Sequence, residues 1–376
     1  MADYNTPFNV PPFDRISEKH YLPAFEEGMK KHNLEIQDIV NNAEEPTFKN
    51  TIEALEYNGR LLADVQFVFY NAYSSNTNDE IQSIATEIAP KLSLHADNIK
   101  LNAGLFERVN SVYAQKEDLD LNAEQRKLLE ETYKGFVRSG AGLPEEKQNR
   151  LREINQELSV LTLKFGQNVL GETNKFKMIV DNEADLAGLP QSLIDVAAEK
   201  AAEEGLQGKW IFTLHNSSVM PFLGSADNRE LRKVMQHAYI NRGNNNNEYD
   251  NKETIGKIVN LRLERAKLLG YDNHAHYTLE ETMVKNTETA MNFVRKVWDA
   301  ATPIAKKEAG EMQTMIKSEG NDFKLAQWDW RYYAEKIRKE KYDLDEEQVR
   351  QYFELNTVRS GVFMVVNKLY GLQFKE

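Results

Sequence analysis

Along most of this chain, apolar residues recur at the three- and four-residue intervals of an α-helix. Leu151, Ile154, Leu158, Leu161, Phe165 and Val169 put six apolar side chains on one stripe of a long helix. Pro144 suits its first turn, where an amide proton has no helical partner to lose. A second stripe runs Ile255, Ile258, Val259, Leu263, Ala266 and Leu269 and stops at Gly270, a residue able to take the left-handed C-cap conformation. A third runs Val358, Val362, Val365, Val366 and Leu369 and stops at Gly371. Helix starts are marked where a side chain can accept from the free amides of a first turn and a second can reach back. Thr77 with Glu80, Asn122 with Gln125, Asp227 with Glu230 and Asp345 with Gln348 have that spacing. Further helices are expected over about residues 16–42, 48–75, 79–115, 191–204, 287–318 and 326–341, with kinks or breaks at Pro90 and Pro303.

Alternation at period two is confined to one region. Phe176, Met178 and Val180 alternate with Lys177 and Ile179, and Trp210, Phe212 and Leu214 alternate with Ile211, Thr213 and His215. The pattern predicts a mainly α protein, a multi-helix scaffold with a small two-strand β element near residues 175–215. Two strands alone are marginal, so they are expected to pack on helices or to join a sheet supplied by residues this chain lacks. Arg242 to Asn251 has no apolar period and reads as a surface loop. It divides the chain into an N-terminal helical region with the β element (1–243), an Asn-rich loop (244–251) and a second helical region (252–376). No period of about 20–50 residues repeats, which disfavours a helical solenoid.

Composition narrows the function classes. Of 376 residues, 47 are Lys or Arg and 59 Asp or Glu, a net charge of −12, and 41% are hydrophobic, enough to bury a core. At about 150 residues per domain the length corresponds to two or three core-sized units. An acidic chain without a Lys/Arg block is a poor match for nucleic acid or an anionic membrane surface. The absence of cysteine excludes disulfides, cysteine zinc sites, iron–sulfur clusters and a thiol nucleophile. Met1 to Pro7 lacks the basic and apolar regions of a secretory signal. Runs such as Val362-Phe363-Met364-Val365-Val366 fall far short of the roughly 20 apolar residues of a membrane span. The chain is expected to be soluble and cytoplasmic.

Candidate chemistry is sparse. The seven histidines are His20, His32, His95, His215, His237, His274 and His276, and none stands in His-Glu-x-x-His. His274-Ala275-His276 would be a metal pair on a strand, where residues i and i+2 point the same way, but after the stop at Gly270 it reads as a helix start with solvated imidazoles. His215-Asn216-Ser217-Ser218 lacks a nucleophile elbow and reads as a polar turn after a strand. Gly205-Leu206-Gln207-Gly208-Lys209-Trp210 lacks phosphate-loop spacing and reads as a helix-to-strand turn. Trp328-Asp329-Trp330-Arg331-Tyr332-Tyr333 gathers aromatics that suit either a peptide groove or a core, the core being favoured on composition.

The wording of the chain carries more. Pro11-Pro12-Phe13-Asp14-Arg15-Ile16, His20-Tyr21-Leu22-Pro23-Ala24-Phe25 and Pro46-Thr47-Phe48-Lys49-Asn50-Thr51-Ile52 open it. Lys209 to Leu214, Asn228-Arg229-Glu230-Leu231-Arg232, Arg265 to Tyr271, Trp328 to Tyr333 and Tyr352-Phe353 follow in order. Over nearly its whole length the chain resembles the peptidyl-dipeptidase (Dcp) branch of the thimet oligopeptidase family of zinc peptidases. The resemblance implies a mostly helical fold whose two halves enclose a deep channel for short peptides. It also implies a zinc held by two histidines of His-Glu-x-x-His and a downstream Glu, with the motif Glu as general base on the metal-bound water. The chain ends about where that family passes into its catalytic half. It is therefore expected to be the N-terminal portion, one wall of the channel, with no catalytic and no metal-binding residue of its own and inactive alone. Its partners would be short peptides and the remaining catalytic half, and zinc would belong to the full-length protein. Substrate-binding residues stay unassigned. A non-enzymatic helical module for a peptide or partner protein, and part of a general oligopeptidase, are the alternatives.

Overall fold

A computed structural model describes residues 4–342 and 346–375, and its helices largely follow the apolar stripes. In chain order they are α1 (Tyr21–Val40), α2 (Ala54–Tyr57), α3 (Arg60–Ser75), α4 (Asp79–Lys100), α5 (Ala103–Ala114), α6 (Ala123–Arg138) and α7 (Glu145–Lys175). Strand β1 (Met178–Val180), α8 (Gln191–Glu203) and β2 (Trp210–Phe212) come next. Then follow α9 (Asn216–Ser225), α10 (Arg229–Ile240), α11 (Lys252–Leu268), α12 (His274–Leu279), α13 (Thr287–Ser318), α14 (Gln327–Tyr342), α15 (Glu346–Arg350) and α16 (Leu355–Tyr370). The mainly α fold and its single small β element are as the pattern predicts.

Local corrections have local causes. The span 48–75 is not one helix: a π-type stretch and α2 precede a break at Asn58-Gly59, where Gly59 takes φ +68 and donates its amide to Glu35 Oε2 at 2.7 Å. The span 79–115 breaks at Leu101-Asn102, because the Asn102 carboxamide caps α5 through the Leu105 amide. The helices run on through Pro90 and Pro303. One missing hydrogen bond is offset in α4 by burial of Ile84 and Ile88 beside the proline. Asn122 and Gln125 form the expected reciprocal cap. At two other starts the cap lies one residue on: Asn78, not Thr77, accepts from Ile81, and Asn228, not Asp227, accepts from Glu230 and Leu231. The remaining start, at Asp345, lies outside the described residues. Gly270 and Gly371 are left-handed, with φ +85 and +69, as helix stops require.

The fold divides into two compact units built from non-consecutive stretches, residues 1–168 with 250–291 and residues 169–249 with 292–376. This is a division of a different kind from the consecutive regions suggested by composition. In the first unit α1, α3 and α4 bury Phe25, Phe69 and Ile88, and α5 and α6 bury Leu105, Val109 and Phe136 against Ile36 and Ile39. The α7 stripe is buried at Leu151, Ile154 and Leu158, where it meets Ile258 and Leu261 of α11, while Phe165 is exposed. On α11 the buried face is Thr254, Ile258, Leu261 and Ala266, and Ile255, Val259 and Leu263 are exposed, so the second stripe is rotated from its expected seat.

In the second unit β1 and β2 pair antiparallel, Met178 opposite Phe212 and Val180 opposite Trp210. Their buried side chains pack with Leu193 and Ala197 of α8 and with Val219 and Phe222 of α9, so the two strands gain stability by packing on helices. The Asn-rich segment is not merely a solvated loop. It folds around the buried Glu172 carboxylate, which accepts from the Gly243 amide and from the carboxamides of Asn245 at 2.6 Å and Asn247 at 2.8 Å. A buried carboxylate needs such donors, and the asparagine run supplies them.

Candidate functional site

The histidines fall into separate places. His32 and His95 meet in the first unit, Nδ1 to Nε2 at 3.0 Å, and His32 Nε2 pairs with Asn58 Oδ1 at 2.9 Å. His274 and His276 begin α12 as expected, but their imidazoles are half-buried rather than solvated. His276 meets Thr287 Oγ1 at 2.9 Å and has Asp272 at 3.5 Å, whereas His274 lies beside the Tyr277 ring. Among the described residues no group of three or more His, Cys, Asp or Glu could hold a metal ion. His215 is the N-cap of α9, so Asn216, Ser217 and Ser218 form the first helical turn rather than the expected polar turn, and Ser218 Oγ accepts from the Thr213 amide at 3.0 Å. Gly205 and Gly208 take φ +76 and +79 in the turn from α8 to β2.

The histidine pair and a nearby carboxyl respond to acid in opposite senses. Burial, then the neighbouring His32, pushes His95 down from 6.5 to about 4, and burial pushes Asp97 up from 3.8 to about 6. Between pH 6.5 and about 4 the unfolded chain holds a histidine proton that folded His95 does not, so this group loses stability as pH falls. Below about 6 folded Asp97 holds a proton that the unfolded chain takes up only near 3.8, so it adds stability over the same descent. Asp97→Asn should therefore steepen the acid decline of the urea midpoint between about pH 6.5 and 4. An unchanged slope would show that Asp97 titrates at its ordinary value.

In the second unit the structure brings together two stretches that lie about a hundred residues apart. Asp329 is 0% exposed and Arg232 1%. Arg229 Nε and Nη2 reach the Asp329 carboxylate at 3.0 and 2.8 Å, and Arg232 Nη2 reaches it at 2.9 Å. The Ala326 amide donates to the same carboxylate at 3.0 Å. Arg232 also donates to the Ala226, Asp227 and Trp328 carbonyls, so each nitrogen of its buried guanidinium has an acceptor. The rings of Phe323 and Tyr332 stack on Arg229 and Arg232 at 4.1 and 4.0 Å, and Tyr332 donates to Asp227 Oδ1 at 2.8 Å. Burial raises Tyr332 above its ordinary value, and the Asp227 hydrogen bond adds to the effect. The aromatic cluster thus divides: Tyr333 is in the core with Met312 and Ile316, while Trp330 stays partly exposed.

Trp330 and Arg331 border a groove of about 1500 Å³ within this unit, between α8, β2, α9 and α14. Its charged lining holds two close ion pairs, Lys177 on Glu204 at 2.5 Å and Arg338 on Glu335 at 2.8 and 2.7 Å. His215, Ser217 and Ser218 also line it, but no imidazole-to-hydroxyl hydrogen bond joins them among the described residues. The groove can seat a chain segment, but its described residues show no nucleophile paired with a base. The Asp329 network escaped sequence reading; the available signal was an acid between two tryptophans, a charge placed inside an apolar cluster.

Residues 222–376 match the sequence profile of Peptidase family M3. The chain is 38% identical over 377 residues to dipeptidyl carboxypeptidase of Escherichia coli (strain K12), an alignment covering 100% of this chain and 55% of that protein. The profile match assigns residues 222–376 to peptidase family M3, and the identity carries the likeness over the whole chain. It is also 31% identical to oligopeptidase A of the same organism, over 99% of this chain and 55% of that protein. Saccharolysin of Saccharomyces cerevisiae is 27% identical, over 90% of this chain and 48% of that protein. The chain spans about half the length of the curated relatives it matches. The M3 match takes in Arg229, Arg232 and Asp329, and it runs on through α13 and α16.

Proposed function

We propose that this chain is the N-terminal portion of a zinc-dependent, cytoplasmic peptidyl-dipeptidase that releases dipeptides from the free C termini of short peptides. In this reading the chain is scaffold and substrate wall, and the zinc ligands and the general base lie in the remaining portion. Zinc, when bound there, supplies Lewis acidity and a low-pKa water. The observation that carries the reading is the 38% identity to a dipeptidyl carboxypeptidase, against 31% to oligopeptidase A, over essentially the whole chain in both cases.

Exposed apolar stripes support a remaining portion that packs on the second unit. On α13, Phe293, Val294, Val297, Trp298 and Ile304 are exposed, Trp298 at 68%. On α16, Leu355, Val358, Val362, Val365 and Leu369 form a helical stripe, and no residue of that helix is buried. Soluble proteins seldom leave large apolar patches uncovered. The proposed occupant is the rest of the same polypeptide, because the relatives are about twice as long and the M3 match extends across both helices.

Mass spectrometry of short peptides incubated with the full-length zinc protein tests the reading. Dipeptides should appear from a peptide with a free C terminus, and amidation of that terminus should suppress them. Internal cleavage indifferent to amidation would assign the general oligopeptidase reading instead, and no zinc-dependent cleavage would leave a binding module.

A further inference from the structure

A cavity of about 370 Å³ lies within the first unit between α4, α7 and α11, at the small end of the range for small-molecule sites. Its wall carries two guanidinium groups, from Arg262 and Arg265, three residues apart on α11, with Ser93 and Asp97 of α4 and Asn155 of α7. The single carboxylate, Asp97, is already taken up by Asn155, whose carboxamide donates to its two oxygens at 3.0 and 3.1 Å. Arg262 has no hydrogen-bond or ion-pair partner among the described residues. Arg265 donates only to Asn155 Oδ1, at 3.2 Å, and its buried Nε has no acceptor. A buried guanidinium N–H without an acceptor is costly, and here it lies on a cavity wall that an acceptor could enter.

The positive potential of this corner reaches neighbouring groups. Burial lowers Arg265, and the like charge of Arg262 adds to that effect. Burial also lowers His274, whose Nδ1 is hidden without a partner, and Arg262 and Arg265 both contribute. Two arginines against one aspartate leave the cavity with one uncompensated positive charge.

We propose that this cavity binds a small oxyanion, held between the Arg262 and Arg265 guanidinium groups. Guanidinium donors match the paired oxygens of a phosphate or a carboxylate, and Arg265 Nε would gain the acceptor it lacks. The site is separate from the peptidase reading and does not depend on it. The charged groups facing Asp97 are Arg152 of α7 and Arg265 of α11, with Arg262 on the same cavity wall. Because burial pushes Asp97 up to about 6, acidification through that value removes the one negative charge in the cavity. A bound anion should then hold more tightly.

Calorimetric titration of the chain with sulfate, inorganic phosphate, acetate and chloride at matched ionic strength tests this. Saturable binding of sulfate or phosphate is expected for a phosphoryl or sulfuryl ligand; saturable binding of acetate alone would assign a carboxylate ligand, and either supports the site. Arg262→Gln, a lining residue without partners to lose, should weaken binding by about tenfold or more. Asp97→Asn should tighten sulfate binding and remove most of its change between about pH 7 and 5, a window in which sulfate itself does not titrate. Binding of chloride only, no saturable binding of any of the four, or equal affinity in Arg262→Gln and Arg265→Gln would overturn the proposal.

Discussion

Asp329→Ala should lower the unfolding free energy of the second unit by about 3–5 kcal/mol, the range for breaking a buried ion pair from one side. The loss falls chiefly on Arg232. That side chain is 1% exposed, cannot shed its proton, and would keep its charge with only carbonyl partners. Arg229 is more accessible and can rehydrate, so its share is smaller. The Ala326 amide also loses its acceptor. Asp329→Asn keeps an acceptor for that amide and should cost less than alanine. Replacing Arg232 and Asp329 together by Met and Leu should recover much of the deficit, because paired apolar residues can substitute for a buried ion pair. All four tryptophans, Trp210, Trp298, Trp328 and Trp330, belong to this unit, so urea unfolding followed by tryptophan fluorescence reads it selectively. A loss below about 1 kcal/mol would mean that the Arg232 guanidinium reaches water in the variant.

The same charged substitution on α16 should have opposite consequences in two settings. Val362→Glu and Val365→Glu change side chains that are 51% and 47% exposed. In this chain they should shift the urea midpoint little and reduce self-association, because the carboxylates stay hydrated and interrupt an apolar stripe. In the full-length protein, if the remaining portion covers that stripe, the same pair should cost several kcal/mol, on the order of 3 or more, by burying unpaired charge, and peptide cleavage should fall with it. The contrast between the two proteins is the readout. Equal, small effects in both would place the docking surface elsewhere and leave α16 in solvent.

The order of the helices is legible in the amino-acid sequence because helical periodicity and capping are local: stripe, cap and stop all lie within a few residues of one another. Asn122 with Gln125, Gly270 and Gly371 need no tertiary information. Where two adjacent residues could each cap a helix, as at Thr77-Asn78 and Asp227-Asn228, the pattern places the start but not the side chain that takes it. The family wording is equally local, and each stretch of it can be read alone.

Sequence by itself determined the helical class, the position of the small β element and the likeness to family M3 peptidases. Only the tertiary structure decided what the stripes and charges face. It turned α11 so that Ile258 and Leu261 are buried and Val259 is not, and it left the α16 stripe in solvent. It also joined Arg229 and Arg232 to Asp329, wrapped the asparagine run around Glu172, and set Arg262 and Arg265 on the wall of one cavity. The physical reason is range. Periodicity records that a face is apolar, whereas its partner, and the partner of every buried charge, comes from residues tens to a hundred positions away that only packing brings together.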